Sequence, residues 1–171
     1  MPARKIYDAE RHAHFLTFSC RRRRRLLDTD DAKRIVIGQL GARLHEHGGF
    51  CGGFVVMPNH VHALVWFDEP GRLSDFMRAW KTCSSKALTT HLKHATPKYA
   101  AELSDTTVWQ SRYYDFNVFD RPKFEEKLDY MHLNPVRAGF VERATDWKWS
   151  SARWYLLGKA VGIKIEAPPG L

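Results

Sequence analysis

Two histidines carry the first sign of chemistry in this sequence. His60 and His62 stand two residues apart inside the apolar run VVMPNHVHALVWF (55–67). Alternate residues of a β-strand point to the same face, so both imidazoles should share a face, with Cα atoms roughly 6.5 Å apart. Two imidazoles at this spacing can converge on one divalent metal ion. A pair of surface or half-buried histidines without a ligand is the simpler alternative.

A tyrosine in the segment RPKFEEKLDYMHLN lies away from the apolar stripe of its helix. Tyr130 points more than roughly 100° from that stripe, and Asn134, four residues later, lies on the same side. Such a tyrosine either packs on a second surface or acts as a nucleophile, which a phenol with a pKa of about 10 does only beside a cation or base. The amide oxygen of Asn134 is a candidate third metal ligand. The stripe consists of Phe124, Leu128 and Met131.

The segments that must position these residues alternate between strand and helix patterns. Their order, β-α-β-β-α-β followed by a helix, is typical of the ferredoxin-like split βαβ arrangement. We therefore predict an α+β fold with an antiparallel sheet, helices on one face of it, and a C-terminal tail. The predicted strands cover 14–20, 50–58 and 60–67, and the segment 108–119 is either a fourth strand or an irregular extended segment. The predicted helices run from a cap at Asp28 or Thr29 to Gly48, from 73 to 93, and from 121 to 133.

The strand that holds the histidines has one wholly apolar face, formed by Val61, Ala63, Val65 and Phe67. This face should lie in the core beneath the helices, which leaves His60 and His62 on the opposite face. The third helix should end near Leu133, because Pro135 disfavours the helical conformation at the residue before it.

Composition and charge point to a polyanionic partner. The 171 residues fit one domain, with 44% hydrophobic residues and a formal net charge of +8. An excess of this size favours nucleic acid first and an acidic membrane surface second. No apolar stretch approaches the ~20 residues of a membrane span, so we expect a bacterial cytoplasmic protein associated with the nucleoid and no membrane partner. The three cysteines are too far apart for a zinc finger and should be free thiols.

Basic residues interleaved with aromatics suit single-stranded nucleic acid, whose phosphates meet cations and whose bases stack on rings. Five arginines in a row follow the first predicted strand, and they cannot all pair with acids of the protein. A solvated basic rim is the alternative for the other positions. The predicted nucleic-acid-binding residues are Arg21, Arg22, Arg23, Arg24, Arg25, Arg78, Lys81, Lys86 and Arg112.

Three motifs give the chain a resemblance to the HUH single-tyrosine transposases, and among them to the REP-associated tyrosine transposases. The motifs VVMPNHVHALV, VWQSRYYDF and LDYMHLNPVRAGFV follow one another between residues 55 and 141, in the order and at separations similar to those of the family. The pattern of strands and helices extends the likeness to residue 153. We therefore expect a transposase domain over 1–153 and a tail over 154–171.

The resemblance implies roles for the residues singled out above. His60 and His62 would be the HUH histidines, and Asn134 would complete a site for Mg²⁺ or Mn²⁺. Tyr130 would form a 5′-phosphotyrosine link to single-stranded DNA. Members of this family resemble domesticated transposases that act on short palindromic hairpins of bacterial chromosomes. The resemblance thus implies a DNA endonuclease and strand transferase with no small-molecule substrate.

Several alternatives stay open at this point. Tyr113 and Tyr114 are also available as nucleophiles. A non-catalytic protein that binds hairpin DNA or RNA would need the same basic surface, and an HUH replication or mobilisation nickase would use the same chemistry on another target. The chain could act as a monomer or a homodimer. The C-terminal segment that begins before the tail boundary and carries Trp147, Trp149 and Trp154 is expected to pack on the domain, and the alternative is a mobile segment that covers the site.

Overall fold

The computed structural model describes residues 12–95, 97, 103 and 108–171. The predicted loop at 95–107 lies largely outside the described residues. Within them, no helix combines enough length with enough apolarity to cross a membrane. The elements are β1 (Ala13–Ser19), α1 (Asp30–Glu46), β2 (Gly49–Val56), β3 (His60–Phe67), α2 (Leu73–Ala95), β4 (Tyr114–Val118), α3 (Arg121–Arg137) and α4 (Ala152–Leu157), with single 3-10 turns at Arg21–Arg23 and Ala144–Asp146.

The four strands form one sheet in the order β2-β3-β1-β4, and every neighbouring pair is antiparallel. This arrangement confirms the predicted α+β, ferredoxin-like class. The histidine strand β3 and the first strand β1 occupy the centre. Their register places Thr17 opposite His62 and Ser19 opposite His60. Directly opposed residues share a face of the sheet, so β1 contributes to the histidine face.

Helices α1 and α2 cover one face of the sheet. Trp80 of α2 is fully buried, and its indole N–H donates to the carbonyl oxygen of Val36 in α1 at 3.1 Å. The two helices are therefore joined to each other as well as to the sheet. The apolar side of β3 lies beneath them, as its alternation predicts. Its contribution to this core is Val61, Ala63, Val65 and Phe67.

Helix α3 packs on the opposite face, which corrects the expectation that helices lie on one face only. Its apolar stripe joins Leu64 of β3 in a second, smaller core. The approach to β2 is close, since a Cβ on Gly53 would lie 2.6 Å from Cδ2 of Leu128. An amphipathic helix must bury its stripe, and α1 and α2 already occupy the first face. The stripe is Phe124, Leu128 and Met131, as predicted.

The predicted end of the third helix at Leu133 is wrong, because α3 continues through Pro135 to Arg137. Proline cannot donate to the carbonyl four residues earlier, but its fixed φ is compatible with helix. Helical hydrogen bonding extends past the proline, since the N–H of Ala138 donates to the Asn134 carbonyl oxygen at 2.9 Å. Burial of Pro135 against the domain accompanies this continuation. Asn134 therefore lies within the helix and keeps its position on the side of Tyr130.

The C-terminal segment packs along the β2 edge of the domain. The Trp147 indole N–H donates to the Val56 carbonyl oxygen at 3.1 Å, and that of Trp66 donates to the Glu166 carbonyl oxygen at 2.8 Å. Trp149 packs against the main core, whereas Trp154 remains 39% exposed. Two of the three tail tryptophans thus hold the segment on the domain, as expected, and the third does not. The boundary at residue 153 stays a prediction.

Candidate metal and tyrosine site

The two histidines of β3 lie side by side on the face that α3 partly covers. Their ring centroids are 4.9 Å apart. His62 is only 4% exposed, and its ring stacks on that of Phe15 from β1, with centroids 5.4 Å apart. His60 is half-buried near the beginning of the strand. The alternation of β3 thus produces the juxtaposition that the sequence predicts.

Hydrogen bonds at Nδ1 fix which nitrogen each imidazole presents to the site. Thr17 Oγ1 lies 2.7 Å from Nδ1 of His62, and Asn59 Oδ1 lies 2.6 Å from Nδ1 of His60. An amide oxygen only accepts, so His60 donates from Nδ1 and keeps a lone pair on Nε2. The same arrangement holds at His62, whose Nε2 accepts from an amide. Such partners on the far nitrogen orient metal-binding histidines and set their tautomer.

The side-chain amide of Asn134 lies next to the Nε2 atoms of both histidines. Its Nδ2 lies 2.9 Å from Nε2 of His62 and 3.5 Å from Nε2 of His60. The two ends of an amide are exchanged by a half turn, which would direct Oδ1 at the same place. Two imidazole nitrogens and one amide oxygen then form a half-shell of neutral donors. These three residues therefore fit a divalent cation that takes its remaining ligands from water and phosphate.

The electrostatic environment keeps both imidazoles neutral. Burial, together with smaller contributions from the charges of His60, Arg137 and Lys127, lowers the pKa of His62 to about 3. Burial also lowers the pKa of His60 to about 4, with a contribution from Arg23. A neutral imidazole is the form that binds metal ions. Among the described residues, no group of three or more His, Cys, Asp and Glu side chains could hold a metal ion.

Tyr130 of α3 stands over the same site. Its ring centroid is 5.5 Å from that of His62 in an edge-on arrangement, and 6.0 Å from that of Phe15. The side chain is 46% exposed, so solvent or a ligand reaches it. The structure therefore brings together all four residues that the sequence analysis placed in the metal and nucleophile site. Their catalytic and metal-binding roles stay predictions.

Two cations lie on the Tyr130 side of α3. The Arg137 guanidinium carbon is 4.7 Å from the centre of the Tyr130 ring. The Lys127 ammonium is 5.0 Å from the centre of the Phe15 ring and 4.7 Å from that of Phe116. Both positive charges thus border the rings that surround His62.

The predicted arginine run forms a turn directly after β1. Arg22 and Arg23 have positive φ values of 56° and 53°, in the left-handed region that non-glycine residues seldom adopt. The charge of Arg23 acts on His60 and helps to lower its pKa. Arg25 instead pairs with Asp28 at 2.8 Å. The run therefore borders the site at Arg23, and its contact with nucleic acid stays a prediction.

The predicted basic residues of α2 lie away from the site, because α2 covers the other face of the sheet. Arg78 pairs with Asp75 at 3.1 Å. The Lys81 ammonium donates to two carbonyl oxygens of residues 110–111, at 2.7 and 2.9 Å, so it holds the chain just before β4. Lys86 is exposed. The structure does not bring these three cations to the histidines.

The alternative tyrosines have different surroundings. Tyr113 is half-buried and packs against the main core beneath the sheet. Tyr114 lies opposite Thr17 on the histidine face and is 53% exposed. Arg112, just before them, is exposed. Of the three tyrosines considered, Tyr130 is the one with a ring contact to His62.

Sequence reasoning missed five residues that surround the site, among them Asn59, which bonds Nδ1 of His60. Thr17 and Phe15 were not predicted, because the register that pairs β1 with β3 cannot be calculated from either segment alone. Lys127 and Arg137 could have been found from the sequence, because they lie three residues before and seven residues after Tyr130, on the same side of a helix.

Comparison with known proteins assigns the chain to a family. Residues 9–133 match the family model described as "Transposase IS200 like". The chain is 29% identical to the REP-associated tyrosine transposase of Escherichia coli K12 over 57% of this chain and 51% of that protein. A Haemophilus influenzae protein is 28% identical over 56% of this chain and 54% of its own length. The chain thus spans about half the length of the curated relatives it matches.

Solved structures support the fold. A REP-associated tyrosine transposase, solved bound to a REP hairpin, superposes with a TM-score of 0.72 over 97% of this chain and 93% of its own, at 21% identity. At this identity the likeness concerns the fold alone. The family match covers His60, His62 and Tyr130 and stops one residue before Asn134. The chain belongs to the family of IS200-like transposases.

Proposed function

We propose that this protein is a metal-dependent endonuclease and strand transferase for single-stranded DNA, and that it acts on short palindromic hairpins of the REP type. The observation that carries the proposal is the meeting of the Tyr130 ring with two neutral imidazoles and the Asn134 amide. A packing tyrosine would not need both histidine nitrogens to be directed at one point. The hairpin target is supported by the structural relative that is bound to one and by the basic charge of the chain.

His60, His62 and Asn134 would hold Mg²⁺ or Mn²⁺. When bound there, the ion would polarise the phosphate to be cleaved and offset the negative charge that develops on it. Thr17 and Asn59 orient the two imidazoles for this task. The depressed histidine pKa values keep both rings unprotonated at neutral pH, so no proton competes for the donor nitrogens.

Tyr130 supplies the nucleophile in this proposal. Its phenolic oxygen forms a bond to phosphorus while the bond from phosphorus to the 3′ oxygen breaks. The phenol loses its proton, and the leaving oxygen takes one up and departs as a free 3′-hydroxyl. The products are a 5′-phosphotyrosine and a 3′ end. Attack by another 3′-hydroxyl on that phosphotyrosine reverses the step and joins strands.

A denaturing gel tests the proposal directly. Hairpin DNA from the palindromic repeats of the chain's own genome, labelled on the 3′ side of the cut, is incubated with the protein and Mn²⁺. We expect a labelled band at the mass of protein plus DNA, and its loss in Tyr130→Phe, in His62→Ala and with EDTA. Tyr114→Phe, on the same face of the sheet, serves as the matched control and should retain the band.

Three results would count against this function. An adduct that survives in Tyr130→Phe would move the nucleophile to another residue. Tight hairpin binding that is indifferent to EDTA and to Tyr130→Phe, with no adduct in any lane, would instead favour the non-catalytic hairpin-binding protein. An adduct formed equally well on unrelated single strands would favour the replication or mobilisation nickase.

A further inference from the structure

Two cations flank the candidate nucleophile along α3. Lys127 lies three residues before Tyr130 and Arg137 seven residues after it. At 3.6 residues per turn these positions fall within roughly 80° of one another around the helix, with Asn134 between them. Asp129, the acid beside Tyr130 in the sequence, points to the far side of the helix, roughly 160° from Lys127. One side of α3 therefore carries a nucleophile, an amide and two positive charges.

Lys127 is held by aromatic rings rather than by an acid. Its ammonium lies over the faces of Phe15 and Phe116, at 5.0 and 4.7 Å from the ring centres. The side chain is only 18% exposed, and its contact with Glu126 is long, at 4.0 Å. Glu126 pairs instead with Lys123 at 2.6 Å. The positive charge of Lys127 is thus positioned by the sheet but not neutralised.

Arg137 is in a similar situation on the other side of Tyr130. Its guanidinium stacks 4.7 Å from the centre of the tyrosine ring and donates to the Tyr130 carbonyl oxygen. It forms no ion pair with a carboxylate of the described residues. A guanidinium has five N–H donors, so donors remain for an anion after this one bond.

Each of the two charges lies against a ring that contacts His62, and both charges act on His62 to lower its pKa. Arg137 reaches it across Tyr130, whose ring lies 5.5 Å from that of His62. Lys127 reaches it across Phe15, whose ring stacks 5.4 Å from that of His62. An anion bound between the phenol of Tyr130 and the histidines would therefore have two cations nearby, one beyond the Tyr130 ring and one beyond the Phe15 ring. A phosphodiester is such an anion, and charge-assisted hydrogen bonds to its oxygens are the strong kind.

We propose that Lys127 and Arg137 form a phosphate clamp, which binds the DNA phosphate attacked by Tyr130 from two sides and holds it in line for the attack. The inference rests on the function proposed above and adds two residues to it. Phosphate binding by the clamp comes from the chain itself and does not require the metal ion. Arg137 has a second task, because its stacking also holds the tyrosine ring in place.

Binding measurements on DNA with single neutral phosphates test the clamp. The Tyr130→Phe protein, which leaves the DNA uncut, binds the hairpin in EDTA, with the phosphates replaced one at a time by methylphosphonate. Adding Lys127→Met or Arg137→Gln should weaken binding of the unmodified hairpin about tenfold, the scale of one charged hydrogen bond. On DNA that is neutral at the attacked phosphate, the same substitutions should cause no further loss. The attacked phosphate is identified independently, from the length of the fragment cut by the unsubstituted protein.

Matched variants separate a specific contact from general charge and from misfolding. Lys123→Met removes a cation one helical turn earlier, where Glu126 already pairs with it. For this variant we expect a small loss of binding affinity that is the same for every modified DNA. Lys127→Arg and Arg137→Lys retain the charge and should retain the dependence on the attacked phosphate. Circular dichroism and thermal unfolding of each variant establish that it is folded.

The clamp is overturned if the loss in Lys127→Met and Arg137→Gln persists on DNA neutral at the attacked phosphate, or depends on a different phosphate. It is equally overturned if both variants bind as tightly as their parent. If the protein cuts the hairpin but its binding lacks this dependence, only the clamp is overturned. If the protein forms no covalent adduct, the proposed function is overturned, whatever the binding data show.

Discussion

At the scale of single residues, the site depends on hydrogen-bond partners that orient the two histidines through their Nδ1 atoms. Thr17 binds Nδ1 of His62 at 2.7 Å, and Asn59 binds Nδ1 of His60 at 2.6 Å. Both contacts leave Nε2 directed at Asn134. Partners of this kind fix the tautomer and raise the basicity of a metal-binding imidazole. The geometry of the two donors is therefore set by one residue of β1 and one of the turn before β3.

Thr17→Val should weaken metal binding while leaving the donors in place. Valine has the shape of threonine but no hydroxyl, so the imidazole of His62 loses its orienting partner. We expect Mn²⁺ affinity, measured by titration calorimetry, to fall about 10- to 100-fold. Thr90→Val, which removes a hydroxyl that donates to the Lys86 carbonyl oxygen of its own helix, is the control and should bind Mn²⁺ normally. Unchanged affinity in Thr17→Val would show that Thr17 has no part in the site.

At the scale of elements, the position of Tyr130 depends on how closely α3 approaches β2. Gly53 permits this approach, since a Cβ there would lie 2.6 Å from Leu128 Cδ2 and 3.2 Å from Met131 Cε. Both of these side chains are buried in the second core. A larger residue at position 53 must therefore displace the helix or its stripe, and Tyr130 moves with the helix.

Gly53→Val tests this dependence. Overpacking of a buried contact costs about 1–3 kcal/mol, so the free energy of unfolding, measured by urea denaturation, should fall by that amount. Formation of the covalent DNA adduct should fall with it under conditions in which the protein is still folded. Gly38→Ala, with nothing within 4 Å of the added Cβ, should be neutral or stabilising by up to about 1 kcal/mol, since alanine is the better helix former. Normal stability and adduct formation in Gly53→Val would contradict the close-packing account.

At the scale of the whole molecule, the candidate site is built within one chain. Tyr130 approaches His62 of the same chain, with ring centroids 5.5 Å apart, and α3 follows β4 after only two residues. No second copy is needed to complete the set of four residues. A homodimer could still form, but it would contain two complete sites.

Mixing two inactive variants distinguishes a site within one chain from a shared one. Tyr130→Phe lacks the proposed nucleophile, and His62→Ala lacks a proposed metal ligand. If each chain builds its own site, an equimolar mixture should form no more covalent adduct on hairpin DNA than either variant alone. Adduct formation restored in the mixture would mean that chains exchange α3. Analytical ultracentrifugation of the same samples establishes the oligomeric state to which the result applies.

Local patterns in the sequence determined the parts of this protein that depend on neighbouring residues. The alternation of β3 placed His60 and His62 on one face, and the period of α3 placed Tyr130 and Asn134 on one side, because side-chain direction follows directly from strand and helix geometry. The order of the segments was enough to predict the ferredoxin-like class, which the structure confirms. The end of α3 was predicted wrongly, since the preference of a residue before proline, here Asn134, for a non-helical conformation is weak enough for burial of the helix to override it.

Only the tertiary structure decided how these local arrangements meet. The prediction of helices on one face did not include α3 on the other, because the sequence of an amphipathic helix shows that it must be buried but not against which surface. The pairing of Thr17 with His62, and the positions of Lys127 and Arg137 around the rings, depend on strand register and on the approach of α3 to Gly53. Those contacts join residues that are far apart in the chain, and packing of the entire domain selects them.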